Sequence, residues 1–115
     1  MSAIAKAVDL FAGMNGTERD FAVLLEAKRR NGDIASWRFE PVTLTLARGS
    51  GYTPDFMVIG TDGSVEFAET KGFWREAARV RIKVAATLFP EFTLIAYRKR
   101  PKADGGGWAT ETLIP

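Results

Sequence analysis

The run Phe56-Met57-Val58-Ile59, the turn residues Thr61-Asp62-Gly63 and the run Val65 to Lys71 constrain this chain more than any other stretch. Two short apolar runs around a glycine-containing turn read as an antiparallel hairpin, with strands over 52–59 and 64–71. Side chains alternate between the two faces of a strand, so the length of the loop decides which residues share a side. Asp55 and Glu69 are fourteen positions apart, an even number, and stand opposite one another only across an odd loop. A two-residue Asp62-Gly63 turn would pair Asp55 with Thr70 and turn Glu69 to the other face. A three-residue Thr61-Asp62-Gly63 loop with Gly63 left-handed puts both acids on one face. Lys71, two residues after Glu69, then lies on that face as well.

The surrounding chain supplies the rest of an α/β domain. Thr17 reads as an N-cap with Asp20 as an imperfect capping box, and a helix runs from about Glu18 to Arg30, ended by Asn31-Gly32. Phe21, Leu24 and Leu25 form its apolar stripe, and Glu18 falls on the same side. Residues 34–46 read as strand, with a bulge or edge position at Pro41, and Arg48-Gly49-Ser50-Gly51 reads as a turn. A second helix is expected over Arg75 to Leu88, stopped by Phe89-Pro90, with Ala77, Val80, Val84 and Leu88 facing inward. A strand follows over 92–98, and strand, helix, strand implies a right-handed parallel crossover. Lys102 to Gly107 reads as a loop and Trp108 to Leu113 as a last strand. The weakly amphipathic residues 1–15 suit a short helix, an arm or a dimer contact. The expectation is one domain over residues 1–115, a mixed sheet flanked by helices.

Composition narrows the chemistry. The chain has no cysteine and no histidine, which removes disulfides, thiolate metal sites, the usual zinc ligands and the commonest general base. Acid-base work falls to carboxylates, lysine, tyrosine or water on a metal, and all-carboxylate sites suit hard cations such as Mg²⁺ or Mn²⁺. No apolar span is long enough for a membrane helix, and Met1 to Lys6 lacks a signal-peptide core. A cytoplasmic protein without a membrane partner is therefore expected.

Two carboxylates on one face repel when both ionise, and a divalent cation removes that cost. Asp55 and Glu69 are the candidate pair, and Lys71 would reach the same scissile group. The backbone carbonyl of Thr70 offers a further ligand. Glu18 admits two readings: a third acid brought in from the helix, or a solvated partner of the helix dipole. Between Arg75 and Lys102 stand eight basic residues, Arg75, Arg79, Arg81, Lys83, Arg98, Lys99, Arg100 and Lys102, against only Glu76 and Glu91. Alone this run reads as a solvated face, but beside an acidic pocket it points to a polyanion such as DNA.

Tyr52-Thr53-Pro54-Asp55-Phe56, a short hairpin and then Glu69-Thr70-Lys71-Gly72-Phe73-Trp74 resemble the PD-(D/E)xK nuclease superfamily. Within it they are most similar to the phage endonuclease I family of Holliday-junction resolvases. The likeness spans roughly residues 52–95, reaching Arg79 and Pro90-Glu91, with a different hairpin length. Gly16-Thr17-Glu18 resembles, less specifically, the helix start that carries that family's first catalytic glutamate. The resemblance implies a restriction-endonuclease-like fold and a Mg²⁺-dependent homodimer that cuts branched DNA inside a bacterial host, with Mn²⁺ as a substitute metal. It implies Asp55 and Glu69 as metal ligands, Lys71 as the catalytic lysine and Glu18 as the upstream acid. Arg75, Arg79, Arg81, Lys83, Arg98, Lys99 and Arg100 would then hold backbone phosphates. The chain is shorter than that family's members and ends in a glycine-rich loop and strand rather than their longer tail.

Overall fold

The computed structural model describes residues 9–72 and 75–114. Residues 1–8 of the expected arm and Phe73-Trp74 of the motif lie outside the described residues. The chain is α/β. Its elements run α1 (Gly16–Arg30), β1 (Ser36–Phe39), β2 (Leu44–Ala47), β3 (Ser50–Tyr52), β4 (Phe56–Ile59), β5 (Val65–Lys71), α2 (Glu76–Leu88), β6 (Thr93–Lys99) and β7 (Trp108–Leu113). A single 3-10 turn at Lys102–Asp104 precedes β7.

Five strands form a mixed sheet in the order β1-β4-β5-β6-β7, and β2 and β3 form a separate hairpin. The β4–β5 register runs from Phe56↔Ala68 to Ile59↔Val65. Gly60 N–H donates to the Ser64 carbonyl at 2.9 Å, which leaves Thr61-Asp62-Gly63 as the loop. Gly63 has φ 85°, so the three-residue loop with a left-handed glycine, the one that a shared Asp55–Glu69 site requires, is the one that forms. Beyond it, β5 and β6 pair in parallel, Glu69 beside Ala96, with α2 as the connection between them. β7 closes that side as an antiparallel edge.

Strand alternation sorts the core onto two faces. Phe56, Val58 and Ala68 meet Phe21, Ala22 and Leu25 of α1. Phe67, Leu94, Ala96 and Leu113 meet Ile82, Ala85 and Ala86 of α2, together with Leu44 and Tyr52 of the small hairpin. A fully buried side chain of this size contributes about 1.5–3 kcal/mol, so Phe21, Phe56 and Leu94 anchor the two layers.

Five local expectations are corrected. The N-cap of α1 is Asn15, not Thr17: its side chain accepts from Glu18 N–H at 2.8 Å, and Glu18 Oε1 accepts from Asn15 N–H at 2.9 Å. Asn15 with Glu18 satisfies two orphan donors at once, which Thr17 with the shorter Asp20 does not match. The stretch 34–46 is two strands in two sheets, broken where Glu40 turns left-handed (φ 46°) before Pro41. Only Arg48-Gly49 turn, because Ser50 already belongs to β3, and β4 begins at Phe56, not at residue 52. Finally, α2 buries Ile82, Ala85 and Ala86 and leaves Val80, Val84 and Leu88 about half exposed. Two apolar stripes compete on that helix. The one with small alanines around Ile82 allows the closer approach to the sheet.

Candidate metal centre and active site

The site forms where β4 stops and β5 does not. Carried past Phe56↔Ala68, the register sets Asp55 opposite Glu69 and Pro54 opposite Thr70. Pro54 is fully buried and has no N–H to return to the sheet. The Thr70 carbonyl, turned by register toward Pro54, therefore lacks its ladder donor. The Thr70 N–H is satisfied differently: it donates to Asp55 Oδ2 at 2.8 Å, and the Thr70 hydroxyl donates to the same oxygen at 3.0 Å. Asp55 is 9 % exposed and Thr70 6 %.

Two further acids converge on Asp55. One carboxylate oxygen each from Glu18, Glu40 and Asp55 lie within 4.8 Å of one another. Glu18 is held by the capping box through Oε1, which orients its side chain from the first turn of α1. Glu40 is positioned by the backbone: its N–H donates to the Asp55 carbonyl at 2.8 Å, one step past the β1–β4 ladder. A glutamate at φ 46° is uncommon, and such strain gathers at functional sites. Glu40 is the acid that sequence reasoning missed. The available signal was its place next to Asp55 if β1 pairs with β4, a pairing that the pattern of 34–46 did not specify.

Glu69 stands beside this group rather than within it. Tyr52 Oη donates to Glu69 Oε1 at 2.8 Å, the Asp55 N–H reaches the same oxygen at 3.3 Å, and Lys71 Nζ lies 2.9 Å from Oε2. Glu69 is 7 % exposed. Burial, then the charge of Glu69, pushes the Asp55 carboxyl up to about 6, against the two Thr70 donors that favour its ionised form. Burial beside Glu69 pushes the Tyr52 hydroxyl up too, so it stays a donor.

The expected phosphate-binding residues divide. Arg79 pairs with Glu111, Lys99 with Asp20, and Arg100 with the Asp104 carbonyl. Arg75, Arg81, Lys83 and Arg98 are in no ion pair among the described residues. A cavity of about 460 Å³ lies between α1 and β1, lined in part by Glu26, Arg29 and Trp37. Its buried acid is consumed: Arg29 grips Glu26 at 2.7 and 2.8 Å, and Trp37 Nε1 donates to it at 3.0 Å. No helix among the described residues is long and apolar enough to cross a membrane.

The three acids fit a divalent cation on chemical grounds. The donors are all oxygen, the class that hard cations take, and Asp55 is desolvated among like charges that a cation would neutralise. Comparison with protein-family models, with curated proteins and with solved structures finds no match.

Proposed function

We propose that this chain is a metal-dependent DNA endonuclease that hydrolyses phosphodiester bonds in branched DNA, a Holliday-junction resolvase of the PD-(D/E)xK type. The observation that carries the reading is the convergence of Glu18 and Glu40 on Asp55, with Glu69 and Lys71 adjacent at the same sheet end. A binding module has no need to desolvate Asp55 among three other acids.

Asp55, Glu18 and Glu40 would hold the cation, with the Thr70 carbonyl as a further ligand and Glu69 at its border. A divalent cation there supplies a Lewis acid for a phosphate oxygen and lowers the pKa of water. Thr70 fixes the Asp55 carboxylate through two donors, so its free oxygen is aimed before substrate arrives. Lys71 is oriented by Glu69 Oε2 and supplies positive charge where negative charge builds on the phosphoryl group. Tyr52 holds the other Glu69 oxygen and keeps that carboxylate from turning. Arg75, Lys83 and Arg98 supply phosphate contacts that give affinity and salt dependence rather than sequence readout. Preference for a junction would come from a homodimer presenting two sites to two strands.

The test is cleavage of a four-way junction against a matched linear duplex with Mg²⁺, with Lys71→Ala as control. Faster cleavage of the junction is expected. Equal rates on both substrates would reject the resolvase assignment, and no cleavage of either would reject the nuclease.

A further inference from the structure

A polar cavity of about 300 Å³ lies on the α2 side of Glu69, distinct from the acid cluster. Three elements wall it. β5 contributes Glu69 and Lys71, spaced by two as one strand face requires. α2 contributes Ala78, Arg81 and Ile82, spaced by three and four as one helix face requires. β3 contributes Gly51 and Tyr52, and Thr53 follows directly after it. A Cβ at Gly51 would meet Thr43 Cγ2 at 2.8 Å, so a larger residue there would displace Thr43 across the β2–β3 hairpin.

The charges in the cavity do not cancel. Glu69 compensates Lys71 at 2.9 Å, while Arg81 has no carboxylate partner among the described residues. Arg79, two residues earlier, is already spent on Glu111, so α2 presents Arg81 as its one cation lining this space. A surplus guanidinium in a polar concavity that Thr53, its hydroxyl paired with that of Thr43 at 2.7 Å, also lines is chemistry for an oxyanion. The volume lies at the lower end of the ~300–1,000 Å³ typical of ligand sites and admits a phosphate with its sugar.

We infer that this cavity is a phosphate subsite: Arg81 grips the phosphodiester next to the one cleaved, and the β2–β3 hairpin forms its roof. The assignment rests on the nuclease reading for its occupant, not for its chemistry. Arg81 is thus a substrate-positioning residue, set apart from the basic residues that touch DNA diffusely.

Two measurements separate this subsite from the nuclease reading. Inorganic phosphate titrated into the native protein, followed by amide NMR, is expected to shift Gly51, Tyr52 and Thr53 saturably. Arg81→Met, which keeps the aliphatic stem, is expected to abolish those shifts. Absence of saturable shifts, or their persistence in Arg81→Met, overturns the subsite whether or not the protein cuts DNA. Binding to DNA carrying one methylphosphonate, moved along the strand, then identifies the source of the phosphate. Neutralising the position beside the cleaved bond is expected to weaken the native protein about tenfold and Arg81→Met hardly at all. An equal penalty in both overturns the assignment of that phosphate to Arg81.

Discussion

Asp55 Oδ2 accepts two hydrogen bonds from Thr70, from its backbone N–H at 2.8 Å and from its hydroxyl at 3.0 Å. The β4–β5 ladder stops at Phe56↔Ala68, and past it the Thr70 N–H takes the Asp55 side chain in place of a strand carbonyl. The same substitution that completes the sheet buries an acid among acids, and the site's chemistry follows from that conflict.

Asp55→Asn should therefore stabilise the metal-free protein. The amide oxygen still accepts from both Thr70 donors, while the desolvated charge disappears. With the carboxyl raised from 3.8 to about 6, the gain at neutral pH is on the order of 1–3 kcal/mol. Thermal unfolding in chelator should show a higher Tm for the variant, and a lower Tm would mean that the Asp55 charge supports the fold.

Thr70→Val removes the hydroxyl donor and keeps the backbone donor and the shape. Loss of a hydrogen bond behind a metal ligand typically costs ~10–100-fold in affinity. Mn²⁺ binding by calorimetry should weaken by at least about tenfold, with Thr70→Ser restoring it. Unchanged binding in Thr70→Val would place Asp55 outside the metal's ligand set.

Gly63→Ala places a side chain at φ 85°, where nothing lies within 4 Å of the new Cβ. The cost is conformational alone, about 1 kcal/mol in denaturant unfolding. A loss of several kcal/mol would instead show that the turn governs more than the pairing of β4 with β5.

The hairpin was legible in the sequence, but parity alone allowed two loops, and the requirement that Asp55 face Glu69 selected the odd one, for which Gly63 supplies the backbone. The parallel placement of β6 followed from the helix between it and β5. Glu40 was not legible, since its position depends on which strand β1 chooses as partner and on a left-handed residue before a proline. The inward face of α2 is hidden from the sequence for a related reason. Val80, Val84 and Leu88 are as apolar as Ile82 and its alanines, and only the fit to the sheet separates the two stripes. Local pattern fixes pairings along the chain, while the choice between equivalent faces is made by tertiary packing.

Glu26 gives the fold an acid-sensitive tie. Arg29, then Trp37, holds its carboxyl down to about 2 from 4.5. A lowered carboxyl stabilises the folded state above its unfolded value, and that contribution fades as pH falls from 4.5 through about 2. The acid limb of the stability curve should be shallower over that window in Glu26→Gln than in the native chain. Parallel curves would show that the network contributes nothing through charge.

In the proposed reaction Asp55 and Lys71 serve phosphodiester hydrolysis with a divalent cation. Its most direct test is the rate of four-way-junction cleavage against Mg²⁺ concentration for the native chain, Asp55→Asn and Lys71→Ala, with junction binding measured in parallel. Cleavage by the native chain that chelator abolishes is expected, with rates at least ~10²-fold lower in both variants and binding retained or tightened. Cleavage by either variant at the native rate, or none by the native chain on any DNA, would contradict it.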